Sequence, residues 1–561
     1  MRRAVWLFFV GLFPTLPAVA QQSATPSPPV ISVSTRLVQV DLIATDKAHK
    51  TVRDLKPEEI QVFENGHAQK IASFEYHLAS SSTTPPIALP KGVYSNRRPM
   101  AENSSATILL LDALNTPFLD QAYARDQMLK YVRAQATANQ QIAIFALTHD
   151  LLLLQDFTSD PKLLLSAAER VSIQPSPLLN DPDADALYLP GAPAQVIENL
   201  KRFEDESIAA KTDVRVRITL AALESLARIV AGVPGRKTLV WVSGAFPLNL
   251  RPREGFDTQR WYLDQVERTS TLLNDAQIAV YPVDARGLVG SPLASGAFTG
   301  LGPNGRLMSG SELADELASR SFQLSSSQAA MEDIADLTGG AAYYNRNDID
   351  HAVALAVEDG SSYYALSYYP ADKKWDGRFR KIEIKSLRQG LALRYRRGYY
   401  AVDPAAAGKM RQKDVENEIA SAVLQPLLNT EVTFFASVAA RMSAISKAVP
   451  EASTTLPVQF LIDIKNLGFD QLSGGDQHCS LEIAVAAFSR KKLFSQMTKH
   501  EECDFPADTY SRLLKHGLVL IVPIDLPAGS YRLRLLVRDN LRGRLGTLDI
   551  PYTQSKKPAA R

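Results

Sequence analysis

Soft-metal ligands and the usual partners of catalytic nucleophiles are scarce in this chain: 561 residues hold only two cysteines and eight histidines. The histidines are scattered and no His-Glu-x-x-His occurs, which excludes the commonest zinc-hydrolase signature. Cys479 and Cys503 fall in one C-terminal region, and in an exported protein they are expected to pair as a disulfide. A zinc site there is the weaker reading, because His478 and His500 lack finger-like spacing. A net charge of +2 removes any bulk electrostatic case for nucleic acid or an anionic membrane. No repeat of fixed period is present. Beyond residue 20, no apolar run nears the roughly 18 residues needed to cross a bilayer, so no transmembrane anchor is expected once the leader is removed.

What is present begins with that leader. Arg2 and Arg3 precede the apolar stretch 6–13, and Ala18-Val19-Ala20 offers a small-residue cleavage site. This is the pattern of a secretory signal peptide over residues 1–20, which places the mature chain in the periplasm or outside the cell. No cysteine sits at the cleavage site, so no lipoprotein anchor is expected. The remainder has ordinary globular composition, 45% apolar and 22% charged, and enough length for roughly three or four domains.

A Pro/Ser-rich leader covers 21–29. Residues 30–78 carry strand patterns at 31–34, 37–43, 60–63 and 71–74, with Glu64-Asn65-Gly66 as a hairpin turn between the last two. These are too few strands to be stable alone. Residues 79–105, rich in Ser, Thr and Pro over their first part, read as a linker. From 106 to 358, strands at 108–111, 141–147, 238–242, 278–283 and 341–344 alternate with helices at 121–134, 161–171, 214–230, 261–273 and 331–337. A short edge strand is expected at 151–154. Such a succession predicts a doubly wound, mostly parallel sheet with helices on both faces. Two long stretches, 172–212 and 285–327, read as loops, and the second leaves the carboxyl end of a strand. Strand character returns over 359–402. There Arg394 and Arg396 alternate with apolar residues and are read as a solvated face rather than a nucleic-acid site. Residues 30–78 supply the partners these strands need, making one β-sandwich with the α/β domain inserted in it. A second linker with a helical piece (403–428), a C-terminal sandwich (429–553) and a tail (554–561) complete the chain.

The candidate chemistry lies where buried strands end. The apolar run Ile108-Leu-Leu-Leu111 stops at Asp112, Asn115 and Thr116, residues that either cap the next helix or converge on a ligand at the carboxyl edge of the sheet. Ser243 ends a second strand, but Trp241-Val-Ser-Gly-Ala lacks the first glycine of a nucleophile elbow and no histidine is marked as its base. Asp284 and Arg286 follow a third strand and either join that rim or pair with each other. Gly235-Arg-Lys-Thr238 superficially matches a phosphate loop, yet it ends a helix and opens a strand. Arg236 and Lys237 are therefore expected to complement the negative end of the preceding helix. Oxygen ligands of this kind would suit Mg or Ca.

Several of these segments together resemble a von Willebrand factor type A domain, and more narrowly the exported VWFA-related family of acidobacteria. They are 108–116, Ile142-Ala-Ile-Phe-Ala-Leu, Pro234-Gly-Arg-Lys-Thr-Leu-Val-Trp-Val-Ser-Gly and Ala279-Val-Tyr-Pro-Val-Asp-Ala-Arg-Gly-Leu. The flanks Leu55-Lys-Pro-Glu-Glu-Ile-Gln-Val-Phe-Glu-Asn-Gly and Tyr368-Tyr-Pro-Ala-Asp-Lys-Lys-Trp-Asp-Gly-Arg-Phe-Arg-Lys fit the same family, so the likeness spans roughly 30–400. It implies a Rossmann-like α/β domain joined to Ig-like sandwiches. It also implies a non-catalytic function: binding a protein or another extracytoplasmic macromolecule, in many relatives through a metal-ion-dependent adhesion site. That site reads Asp-x-Ser-x-Ser with a distant Thr and a distant Asp. Here Asp112 and Thr116 match its ends, Leu114 replaces the middle Ser, and Ser243 or Gly244 stands for the distant Asp. Thr219 is the candidate for the distant Thr, and Asn115 or Asp284 could compensate for lost ligands. A serine-type hydrolase using Ser243 and a purely structural envelope scaffold are the alternatives.

Overall fold

The computed structural model describes residues 37–554 apart from 49, 80–88, 99, 101–104, 136–139, 172–174, 180–192, 247–257, 289–306, 404–409, 439–454 and 473. The expected signal peptide and leader, the strand expected at 31–34 and the tail beyond 554 lie outside the described residues. The fold is mixed α/β. Among the described residues one five-stranded sheet is mostly parallel, and four other sheets are antiparallel throughout.

The parallel sheet has the spatial order Ile278–Asp284, Lys237–Ser243, Ser105–Asp112, Gln140–Leu147 and Leu151–Thr158, the last strand running antiparallel at the edge. Its strands are buried along almost their whole length, which is why they read as continuous apolar runs rather than as alternation. Their two faces nevertheless serve two cores. Ala106, Ile108, Leu110, Leu239 and Trp241 face α3 (Ala194–Val230), α4 (Thr258–Asp275) and α5 (Gly310–Thr338). Leu109, Leu111, Val240 and Val242 face α1 (Phe118–Gln135), α2 (Pro161–Glu169) and α6 (Ile349–Ser361). The sheet is thus covered on both sides, as parallel strands require.

Three expectations change here. Residues 341–344 form no strand of the sheet; Tyr343 makes only an isolated bridge to Val283. The stretch 172–212 is helical from Ala194 onward, where α3 begins. Likewise α5 begins at Gly310, inside the stretch 285–327. Both helices run on beyond the sheet, where their polar composition hides helical periodicity.

The helix α6 carries Ala352, Val353, Ala356 and Val357 into the second core and was not foreseen. Gly360 ends it against the sheet, where a Cβ would lie 2.0 Å from Thr238 Oγ1. At the helix ends, Lys237 Nζ donates to Val233 O at 2.7 Å beside the end of α3. Arg236 departs from its expected role and donates instead to Gly339 O, beyond α5, and to the Tyr281 hydroxyl, each at 3.0 Å.

Strands from both sides of this sheet in the sequence share a common sandwich. Ser362–Tyr368 lies between Val38–Thr45 and Ile71–Leu78, while Phe379–Ser386 pairs with Ile60–Glu64. Asn65 and Gly66 take positive φ in the expected hairpin turn. Arg394 and Arg396 engage Asp359 and Gln39 O respectively. A second sandwich holds the C-terminal strands, with α7 (Gln412–Leu424) packed on its outer face. The stretch read as the first linker contributes Val93–Ser95 to that sandwich, paired with Phe434–Val438.

The two cysteines expected to pair, Cys479 and Cys503, are brought together by the fold. Both are free thiols in this structure, and they sit directly opposite each other on paired strands.

Two outcomes follow from this packing. Gly340 lies so close to the Ile278–Asp284 strand that an added Cβ would sit 1.8 Å from Val280 O. Gly340→Ala should therefore cost about 3 kcal/mol or more in urea denaturation. Burial pulls the Lys237 amine down to about 7 from 10.5. Between those values the unfolded chain binds the extra proton, so stability should rise with pH from about 7 to 10.5 and stay flat just below. Lys237→Met should remove that rise when melting temperatures are compared across pH.

Candidate functional site

Parallel pairing sets the strand ends in one row. Asp284 is in register with Ser243, and Val242 with Leu111, so the loops after Asp112, Ser243 and Asp284 leave the sheet on a common rim. The chain turns one way from the Asp112 strand to reach Gln140–Leu147 and the other way to reach Lys237–Ser243. The Asp112 and Ser243 strands therefore flank the point where strand order reverses. Asp112, Trp241 and Ser243 continue the strand positions that face α3, and this brings Thr219 of α3 to the same place.

Asp112 is the hub. Its Oδ1 accepts the Asn115 backbone N–H at 3.0 Å, while Oδ2 accepts Asn115 Nδ2 at 2.9 Å, Trp241 Nε1 at 3.0 Å and Ser243 Oγ at 2.9 Å. Asn115 Nδ2 also donates to Thr219 Oγ1 at 2.9 Å. The Gly244 N–H donates to Thr116 Oγ1 at 2.8 Å, and a Cβ on Gly244 would lie 2.8 Å from Pro117. Thus the loop after Ser243 is pressed onto the loop after Asp112. Burial raises the Asp112 carboxyl above its ordinary value, opposed by the donors from Asn115, Trp241 and Ser243.

This arrangement does not fit a divalent cation. Asp112, Asn115, Thr116, Thr219 and Ser243 are all buried, and the carboxylate and the two threonine oxygens already accept protein hydrogen bonds. Asn115 Oδ1 is the one buried oxygen of the group with no partner, far short of the six or more that Mg or Ca requires. No group of three or more His, Cys, Asp or Glu is placed to hold a metal among the described residues. Nor is Ser243 set up as a nucleophile. Its hydroxyl lies 2.9 Å from Asp112 Oδ2 and 2.8 Å from Ala245 O, and among the described residues no histidine is hydrogen-bonded to it.

Asp284 and Arg286 stand beside this knot without joining it. Arg286 donates to Asp284 through Nε at 2.9 Å and Nη2 at 2.7 Å, a two-pronged pair at the mouth of the rim. Asp120, in the first turn of α1, lies in the field of both groups, and burial raises its carboxyl. Asn347 fastens the neighbouring elements by accepting from Tyr123 of α1 through its carbonyl and from the Leu288 N–H through Oδ1.

Three apolar side chains of these elements, two at the start of α1 and one two residues beyond Arg286, are exposed to solvent. Phe118 is 48% exposed, Leu119 79% and Leu288 62%. Sequence reasoning missed them, since an exposed leucine carries no signal of its own. It also missed Trp241, which the two-residue strand period could have placed on the face of Ser243.

Two adjoining clefts of about 310 and 360 Å³ lie elsewhere, at the amino ends of the parallel strands. They share Leu37, Gln39 and Gln277 and include none of the rim residues. The first mixes Asp41 and Asp275 with Arg236, Arg396 and Arg544, so charges of both signs line it.

No family model matches the chain, and no curated protein matches it. Among solved structures, it is similar to an aerotolerance-related membrane protein from Bacteroides fragilis. The identity is 14%, 46% of this chain and 99% of the other are covered, and the TM-score is 0.23. BatB from Bacteroides thetaiotaomicron is similar at 12% identity over 46% and 98% of the two chains, also with a TM-score of 0.23. The PilB minor pilin from Streptococcus sanguinis is similar at 10% identity over 47% and 62%, with a TM-score of 0.22. Superpositions this loose carry no argument about fold or function.

Asp112→Ala strands the Trp241 and Asn115 donors in a dry site, and should cost about 3 kcal/mol or more in denaturant unfolding. Ser243→Ala should cost only about 1 kcal/mol. Adding Mg or Ca well above physiological levels should leave the melting temperature unmoved, since an ion that does not bind the folded form cannot stabilise it.

Proposed function

We propose that this is an exported, non-catalytic protein of the von Willebrand factor type A kind, which binds a protein partner through the carboxyl rim of its parallel sheet. The observation that carries this reading is the exposure of Phe118 and Leu119 at the start of α1 and of Leu288 just after the Asp284–Arg286 pair. An apolar patch bordered by a charged pair is the composition of a recognition surface, with an apolar centre to exclude water and a polar edge to set orientation. The Asp112 knot beneath it acts as a support. It holds the two loops at fixed positions without a metal, so the surface is pre-organised before a partner arrives.

Export rests on the charged start, apolar centre and small-residue end of residues 1–20. The non-catalytic reading is supported by Ser243 Oγ being held by Asp112 and by the distance of the clefts from the rim. A hydrolase using Ser243 predicts labelling by a fluorophosphonate probe, which this reading does not.

The decisive measurement is crosslinking of the mature chain in cell-envelope and culture-fluid fractions. A defined partner should be captured by the wild type and by a variant altered at the cleft, such as Gln277→Ala. Leu119→Asp with Leu288→Asp should lose it, with affinity down at least about a hundredfold. A partner retained by the double variant would reject the rim, and a Ser243-labelled chain would reject the non-catalytic reading.

A further inference from the structure

The C-terminal sandwich ends on an open edge. The strand Lys492–Phe505 is 14 residues long and, among the described residues, pairs only with Gln477–Ser489. At about 3.4 Å per residue it is roughly 45 Å long, and its outer side forms no strand ladder among the described residues, although Leu518–Asp525 of the facing sheet and the helix Ala507–His516 lie close to it. Natural edge strands are usually short, bulged or interrupted by proline. This one contains no proline, and its one irregularity, opposite Ala487 and Phe488, lies near the turn. Its apolar side chains are not withdrawn either: Leu493 is 47% exposed, Phe494 52% and Met497 42%.

The charges along the strand are sorted by sign. Arg490, Lys491 and Lys492 occupy the hairpin turn and the first position, whereas Glu501, Glu502 and Asp504 occupy the far end. Some of the acidic charge is engaged locally: Glu501 pairs with Lys499, Glu502 with His478 and His500, and Asp504 with His478. Glu482 beside them adds a further carboxylate. Four carboxylates, Glu482, Glu501, Glu502 and Asp504, outnumber Lys499, His478 and His500 at the far end, whereas the turn end is basic.

Charges that only blunt an edge need no order. A strand that is basic at one end and acidic at the other, with its apolar residues between, is complementary to itself when a second copy runs antiparallel. We infer that Lys492–Phe505 is a homodimer edge: two copies pair this strand antiparallel about a two-fold axis near Met497. The basic turn of each copy then meets the acidic end of the other, and the two sheets become one. Met497 and Phe494 of both copies are covered in the process. The rim near Asp112 takes no part, so a failed partner screen at the rim and a failed dimer are separate results.

The test is sedimentation equilibrium of the mature full-length chain up to about 50 µM, above the micromolar range of modest protein contacts. The wild type should be dimeric. Met497→Lys sets two like charges beside the axis and should raise the dissociation constant at least about tenfold, with an unchanged circular dichroism spectrum. Lys491→Glu with Lys492→Glu, on the exposed turn, should do the same and decides the matter if Met497→Lys misfolds. A monomeric wild type would overturn the proposal and leave the edge to a strand from another protein. A dimer that survives both variants would overturn it as well.

Discussion

One buried carboxylate organises the centre of this protein. Asp112 sits at the end of the middle strand of the parallel sheet and accepts four hydrogen bonds, from Asn115, Trp241 and Ser243. Through Asn115 it reaches Thr219, and through the adjoining Thr116 it fixes the loop that begins at Gly244. Two strand-end loops and a helix are thereby tied to one ion. A charge in so dry a place is tolerable only when its lone pairs are met by donors, so each of these groups depends on the others.

The same satisfaction decides what the site can do. Where a metal centre would leave oxygens facing an open position, here N–H groups of the chain face them, and a loop lies over the top. The chemistry of the rim therefore moves outward, from the buried knot to the surface it supports: the Asp284–Arg286 pair and the apolar residues of α1 and of the loop bearing Leu288. In the proposed reading the knot is a rigid base for recognition rather than a participant in it.

The two sandwiches attach to this centre in different ways. The first is built from segments on both sides of the parallel sheet and meets it at Arg236, whose backbone N–H donates to the Tyr363 hydroxyl at 3.2 Å. The second meets the end of α3, where Arg228 pairs with Glu431 at 2.8 Å and Thr430 Oγ1 donates to Ile229 O at 2.8 Å. Burial and charge both shape these junctions. Desolvation opposes the Arg228 cation, but its carboxylate neighbours, Glu431 first, outweigh it and raise its value.

Much of the chain was legible from its pattern. Buried parallel strands must be apolar on both faces, so 108–111, 238–242 and 278–283 stood out, and the polar residues that stop them marked the rim. Asn65-Gly66 announced a hairpin because few other residues accept positive φ. Less could be read where exposure or pairing replaces pattern. The outer parts of α3 and α5 bury no apolar face in the first core, α6 is short, and Lys492–Phe505 is too exposed to alternate. Sequence by itself determined that the strands end in Asp112, Ser243 and Asp284 and that few groups of metal or nucleophilic character were available. It took the folded arrangement to show that Trp241, Asn115 and Ser243 aim their donors at one carboxylate, and that Cys479 and Cys503 face each other across paired strands. Those outcomes depend on strand register and on distances between residues far apart in the chain, which local composition does not encode.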